Sequence, residues 1–419
     1  MNGVGPPPLA RRNVAAIGLF LARVIYAVNW YNVGAVLPQI GGSFGIGTAR
    51  LGVVLGAFLV GVGIFQIPAG FAALRFGARS VSLAGLAVMG AFCLASAASP
   101  NYLVLAALRF GAGVGAAFFF SPGLSLIASY FPAGERGPVI GLYNGGFSVG
   151  GAIGLFAGAI LGEAFGWPIS LALAGLVLLA LTGVTAVVLP PSPARAGASA
   201  SVNVWSSGRS VLRSRSIWAL ALSTTGFWGA IYIVAQYFVK YGEDVHVAWG
   251  LGLVAAMAGA VVLLSFPGGP FGGWIAERGG DRRLLLAVFT VLAGALTALL
   301  PLANLLTIWP ILLLLGFFDG VVFAILYLVP TYLPESQGDG LALGVAVINS
   351  IQVLAGSALA VAFGVIASGF GYTVAWVSSG AICIALVPLL ILVTPSRGGP
   401  SGRGAGGESE RRTERARAP

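Results

Sequence analysis

Apolar residues fill this chain in long runs that short polar stretches interrupt. Windows long enough to cross a bilayer, roughly 20 mainly apolar residues, begin at Val14, Leu51, Ser80, Asn101, Pro138 and Pro168, then at Ile217, Ala248, Leu284, Ile308, Leu341 and Gly371. Between the sixth and seventh lies a stretch rich in Pro, Ser and Arg, residues 190–216, that can neither span a membrane nor pack a core. The pattern predicts an all-α membrane protein of twelve transmembrane helices in two pseudo-symmetric six-helix bundles. Its expected divisions are a cytoplasmic lead at 1–13, bundles at 14–189 and 217–393, a linker at 190–216, and a cytoplasmic tail at 394–419 without the means to pack. No cleavage pattern follows the first apolar run, so the first span is expected to serve as its own insertion signal.

The halves echo one another. Gly70 to Arg79 (GFAALRFGAR) recurs 203 positions on as Gly273 to Arg282 (GWIAERGGDR), and Tyr130-Phe131-Pro132 recurs 202 positions on as Tyr332-Leu333-Pro334. Polar side chains recur too. In the first span Arg23, Tyr26 and Trp30 share one helical face, with Asn29 beside them, and such a face cannot point at lipid. The seventh span carries Thr224, Trp228, Tyr232 and Gln236 at similar steps, and the eleventh carries Asn349 and Gln352. Gly146, Gly150, Gly154, Gly158 and Gly162 form a ridge along the fifth span, suited either to static close packing or to helices that rock on one another. The eighth span ends in FPGGPFGGW, which is expected to break the helix, as discontinuous transporter helices do.

Composition agrees: 58% of residues are hydrophobic and 8% charged, far from the soluble range. A net charge of +10 suggests nucleic acid only until the charges are placed. Of 22 Lys and Arg, only Arg50 and Lys240 fall in outer loops and only Arg23 and Arg109 within spans; the rest lie on one side. The positive-inside rule then puts both termini in the cytoplasm of a cell-membrane protein and leaves no nucleic-acid partner. Cys93 and Cys383 fall inside apolar runs and read as inert thiols. The one histidine, His246, has no Cys or His cluster around it, and no Gly-rich loop ends in Lys and Ser or Thr. No metal, cofactor or enzymatic chemistry is therefore expected.

Three intramembrane charges remain, Arg23, Arg109 and Asp319. Each costs about 2.5–3.5 kcal/mol at the centre of a span and so needs a partner or a wet cavity. Arg23 reads as the ligand of a carboxylate or phosphate, or as a structural arginine bonded to helix carbonyls. Arg109 reads as a structural or gating residue, or as one that couples to substrate or proton. Asp319 reads as a proton carrier, or as the salt-bridge partner of an arginine. Of the three only Asp319 can carry a proton, because arginine does not deprotonate.

Together these residues resemble the major facilitator superfamily of secondary transporters, from about Val14 to Val393. The family's loop motif, Gly-x-x-x-Asp-Arg-x-Gly-x-Arg, is met by Gly70, Arg75, Gly77 and Arg79, and in the second half by Gly273, Glu277, Arg278, Gly280 and Arg282. Its fourth-span motif is met by Arg109 with Gly113, Gly115, Ala116 and Ala117. Leu74 replaces the first loop's acid, Gly151 replaces the proline of the family's antiporter motif, and Gly226 stands where a second, facing arginine would repeat Arg23.

The resemblance implies a monomer in the lipid bilayer that moves a small solute by alternating access, coupled to protons or another ion. On this reading Arg23 binds an anionic group, Tyr26, Trp30, Trp228 and Tyr232 wall the cavity, and Asn29, Gln236, Asn349 and Gln352 supply hydrogen bonds. Asp319 and Arg109 then serve coupling or gating. A proton-coupled exporter of hydrophobic or cationic compounds is the alternative, and a transporter-like solute sensor is another of a different class.

Overall fold

The computed structural model describes residues 9–131, 136–190, 212–278, 281–333 and 339–393. The predicted lead before Leu9, most of the linker, Gly280 and the tail lie outside the described residues. Twelve helices among the described residues are long and apolar enough to cross a membrane. In chain order the helices are α1 (Leu9–Ala35), the short α2 (Leu37–Phe44), α3 (Thr48–Phe76), α4 (Ala78–Ser96), α5 (Tyr102–Tyr130), α6 (Arg136–Phe165) and α7 (Trp167–Val188). The second half holds α8 (Arg215–Val245), α9 (Leu251–Glu277), α10 (Arg282–Leu299), α11 (Ile308–Leu328), α12 (Asp339–Phe370) and α13 (Tyr372–Ala385). Every predicted window overlaps one spanning helix; α2, begun by Pro38 at its first turn, went unforeseen because the apolar run has no gap there.

Helices suit this environment because each satisfies its own backbone in hydrocarbon, and the sequence marks where they start. The Asn101 side chain accepts from the Leu103 and Val104 amides at the head of α5, and Ser214 caps α8 in the same way. The reversals into α7 and α13, the last span of each half, use Gly166 and Gly371 at φ of 84° and 85°, a conformation that suits glycine.

Glycine crossings set the spacing inside each bundle. A Cβ added at Gly113 of α5 would stand 2.0 Å from the Phe58 carbonyl oxygen of α3, and one at Gly316 of α11 would stand 2.2 Å from that of Val261 of α9. Those two glycines are 203 positions apart, so the same crossing is built twice. The α6 ridge faces α1 within its own bundle: at Gly150 an added Cβ would lie 2.0 Å from the Val24 oxygen. Its neighbours Gly145 and Gly151 meet Phe266 and Val262 of α9, so they, and not the ridge, form the α6 surface toward the other bundle.

The helix break expected in FPGGPFGGW is not found; α9 runs unbroken through Pro267 and Pro270. The glycines between and after the prolines pack α9 onto α11. An added Cβ at Gly268 would lie 2.1 Å from the Phe317 oxygen, and at Gly320 of α11 one would lie 2.0 Å from that of Ser265. A closely apposed neighbour keeps the helix intact where an isolated one would kink.

Basic residues fasten one end of each bundle. Arg79, in the first turn of α4, donates to the carbonyls of Leu189 (3.2 Å) and Ala186 at the end of α7. Arg283, in the first turn of α10, donates to the Val393 carbonyl (2.9 Å) at the end of the last span. Both donor and acceptor are displaced by 204 positions, so the counterpart of Arg79 by contact is Arg283, where the loop motif alone suggests Arg282. Arg283 also hydrogen-bonds Asp281, the α10 cap, and holds that carboxyl below the usual carboxylate range.

The bundles meet along α3 with α12, α6 with α9, and α1 with α8. Burial ranks the helices: 83% of the α8 window is buried, against 28% for α7, which marks α8 as central and α7 as peripheral. Across the seam the Ala49 amide donates to Ser368 Oγ (2.9 Å), Ser350 Oγ to the Gly63 carbonyl (2.6 Å) and Asn349 Nδ2 to Gln66 Oε1 (2.8 Å).

The Gly150→Leu variant should therefore fail to give a monodisperse folded protein, since backbone cannot yield as a side chain would and the cost exceeds the about 1–3 kcal/mol of ordinary overpacking. Gly70→Ala, whose added Cβ meets nothing within 4 Å, should keep the wild-type melting temperature. Size-exclusion profiles and thermal melts in detergent read both, and normal behaviour of the leucine variant would contradict the α1–α6 contact.

Candidate functional site

Arg23 lies fourteen residues into α1, near its middle, and is only 5% exposed. Its guanidinium carbon stands 4.5 Å from the Phe147 ring centroid, 4.6 Å from Phe120, 4.7 Å from Tyr26 and 5.1 Å from Tyr143. Rings from α1, α5 and α6 thus surround one cation and offset part of its burial cost by cation–π attraction. The α1–α6 glycine crossing lets α6 come close enough to contribute two of them. Nε and Nη1 nevertheless have no hydrogen-bond partner. A buried cation with unfilled donors has the chemistry to receive an anion.

Across the seam stands Asp319, 9% exposed on α11, with Oδ1 unpartnered. The α9–α11 crossing at Gly320 brings the Ser265 hydroxyl to this carboxyl. Tyr31 of α1 and Tyr327 of α11 lie within the electrostatic reach of both Arg23 and Asp319, so the two charges share one polar neighbourhood between the bundles.

Tyr26 and Trp30 join Arg23 in a single aromatic cluster. Tyr26 lies 5.6 Å from Trp30, and Trp30 meets Phe58 (4.7 Å) and Phe147 (5.6 Å) edge-on. Trp228 and Tyr232 stack at 5.5 Å and 9° on α8, in the opposite bundle. Trp228 lies thirteen residues into α8, at nearly the depth of Arg23 in α1. Asn349 bridges two groups, donating to Gln66 and accepting from the Tyr327 hydroxyl at 3.2 Å.

Three amides are engaged elsewhere. Asn29 donates to the Ile25 and Ala174 carbonyls, on the side of α7. Gln236 donates to the Trp30 carbonyl (3.1 Å) and packs against Gly34, which makes it a link between bundles. Gln352 donates to Thr224 Oγ1 at 2.6 Å inside the second bundle, leaving Oε1 unpartnered.

Arg109 is 2% exposed and reaches the Asn29 carbonyl (3.3 Å) and Cys93 Sγ (3.4 Å), with its guanidinium over the Phe58 ring at 4.5 Å. These contacts tie α5 to α1, α4 and α3, all within the first bundle. The loop-motif residues sit at helix ends away from Arg23. Arg75 lies over Phe76, Gly77 turns α3 into α4 at φ 85°, and Gly70 and Gly273 have open space around them. Arg278 covers Trp274 at 4.2 Å, Glu277 is exposed at the end of α9, and Arg282 begins α10.

Sequence reasoning missed Phe120, Tyr143 and Phe147 of the cage, the bridging Tyr31 and Tyr327, and Gln66. A lone amide in the run IFQIPAG was a usable signal for Gln66. Aromatic residues in an apolar span gave none.

The Major Facilitator Superfamily profile matches residues 19–356. Among curated proteins, the 4-hydroxybenzoate transporter PcaK of Pseudomonas aeruginosa is 35% identical over 160 residues, which cover 38% of this chain and 36% of that one. The chain thus matches little more than a third of that relative's length. The nitrite extrusion protein of Bacillus subtilis is 26% identical over 319 residues, 74% of this chain and 77% of that one. A bacterial homologue of the human lysosomal transporter Spinster, solved inward-facing and unoccupied, superposes with a TM-score of 0.73 at 16% identity, covering 92% of this chain and 96% of its own. By its fold, by the motifs at corresponding places in its halves and by this match, the chain belongs to the Major Facilitator Superfamily.

Proposed function

We propose that the protein is a secondary transporter that carries a small organic anion through the membrane by alternating access, with a planar aromatic carboxylate as its best-fitting substrate. The observation that carries this reading is the buried Arg23 guanidinium, ringed by aromatic faces and left with Nε and Nη1 unfilled. A carboxylate fills those donors, and ring surface on both sides of the seam, including the Trp228–Tyr232 stack, receives an aromatic body. The substrates for which several relatives are named agree in class: 4-hydroxybenzoate for PcaK, gallate for a transporter of Pseudomonas putida, hexuronate for one of Bacillus subtilis. A fixed cation buried near the middle of α1 disfavours the exporter of cationic compounds.

With the basic loops in the cytoplasm, the seam from Ala49–Ser368 inward is the outer gate, and the two bundles rock about the Arg23 level. Asp319 couples the cycle to protons. Ionised, it opposes an anion at Arg23 through the shared neighbourhood of Tyr31 and Tyr327; protonated, it admits one. The anion and a proton then move together. The protein acts as a monomer in the cell membrane, with both termini inside. Arg109 serves by holding the first bundle's helices in place for this motion.

Benzoate and 4-hydroxybenzoate should raise the melting temperature of the purified wild type in a concentration-dependent way. Arg23→Gln should weaken that binding by about a hundredfold, on the order of the 3 kcal/mol of a charged hydrogen bond; undiminished stabilisation would reject the anion site. In proteoliposomes, Asp319→Asn should abolish uptake driven by an imposed pH gradient while keeping exchange of labelled for unlabelled anion. Gradient-driven accumulation by that variant would remove Asp319 from the coupling step.

A further inference from the structure

The ring of Phe147 on α6 lies against the guanidinium and against the aromatic face of α1 at once. Its centroid is 4.5 Å from the Arg23 guanidinium carbon and 5.5, 5.6 and 6.2 Å from the rings of Tyr31, Trp30 and Tyr26. The backbone beneath it shows which way it points. One turn further on, an added Cβ at Gly150 would stand 2.0 Å from the Val24 oxygen of α1, and one at Gly151 would stand 2.6 Å from Val262 of α9. By the helical repeat Phe147 projects between those two directions, into the angle where the bundles meet. The ring is partly exposed, and so is Asn144 one turn earlier on that side, so accessible surface runs up to it. Arg23 behind it is 5% exposed, with Nε and Nη1 unpartnered.

Resting on the anion-site reading above, we propose that Phe147 is a built-in occupant of the substrate site, whose ring stands in the slot that the substrate's own aromatic ring takes. A carboxylate on Arg23 carries its ring into the space beside the guanidinium. The α1 faces adjoining that space are those of Tyr26, Trp30 and Tyr31, and Phe147 already covers them. Two rings cannot share one slot in a close-packed interior. When Phe147 swings aside, the α1 rings regain in the ligand the contacts they lose, and the carboxylate adds bonds to Nε and Nη1 that a phenyl ring cannot make. An aliphatic anion breaks the same contacts and restores none, so the filled slot keeps the site closed to it. No covalent step is involved; one ring is exchanged for another. The open site exists only while Phe147 stands aside, and the apparent Kd is raised accordingly.

The Phe147→Ala variant empties the slot and leaves Arg23 and the three α1 rings in place. Isothermal titration calorimetry on the purified full-length protein should show its benzoate Kd lowered by about tenfold, because the site no longer waits for the ring to move. A ring that only packs helices would raise Kd or leave it alone when lost, so a benzoate Kd at or above the wild-type value overturns the proposal. A second readout needs no substrate. Phenylglyoxal modifies accessible guanidinium groups, and peptide mass spectrometry follows Arg23 by itself. Its modification should be about tenfold faster in Phe147→Ala than in wild type, and benzoate should slow it; a rate within about threefold of wild type overturns the proposal. Arg109, 2% exposed, is the control for loosened packing. Where it too becomes reactive, Phe147→Leu, which keeps most of the apolar volume, is read against the same thresholds. If wild type binds benzoate while neither variant tightens binding or uncovers Arg23, only the role of Phe147 falls; if neither wild type nor variants bind benzoate, the anion-site reading falls and this inference with it.

Discussion

A guanidinium at the middle of a hydrocarbon slab must be compensated by something, and here it is compensated by ring faces. Four aromatic centroids within 5.1 Å of the Arg23 carbon offer attraction of about 0.5–2 kcal/mol each. That is enough to hold the charge in place and not enough to saturate it. A carboxylate partner would have closed the site permanently, whereas faces leave the edge donors free. On the proposed reading, the preference for an anionic ligand follows from this incomplete neutralisation, and the ring cage holds the Arg23 rotamer in place, which lowers the ordering cost of binding.

The rings can gather only because the backbones beneath them nearly touch. The contact of Gly150 with Val24 brings α6 against α1, and that of Gly113 with Phe58 brings α5 against α3. The first lets α6 carry Tyr143 and Phe147 to Arg23, and the second fixes the α5 helix that carries Phe120. On the other side of the seam the Gly320–Ser265 crossing gives the Asp319 carboxyl its hydroxyl neighbour. Small residues thus decide the electrostatics at a distance from themselves.

The fold was largely legible in the chain because a bilayer demands runs of a set length, and no such run lies in residues 190–216. Direction within a helix was less legible. Asn29 is next to Trp30 and Gln236 is one turn past Tyr232, yet their amides serve α7 and the seam, because adjacent side chains point about 100° apart and a residue one turn further on meets a different part of the neighbouring helices. The intact α9 was misjudged for a related reason: the effect of Pro267 and Pro270 depends on α11, a helix nearly fifty positions further on. Arg23, Asp319 and Asn349 were conspicuous because polar groups in apolar runs are rare. Phe120 and Phe147, in the same cage, were camouflaged by their surroundings.

The paired fasteners Arg79 and Arg283 bear on how the chain is made. Each ties the third span of a half to the end of that half's sixth, so each closes using residues of one half alone. By the time the linker leaves the ribosome, the first bundle has every residue it needs to tether its own last helix. The second repeats the step unaided. A break in the linker would leave both fasteners closed and the bonds across the seam in place, because none of them uses a linker residue.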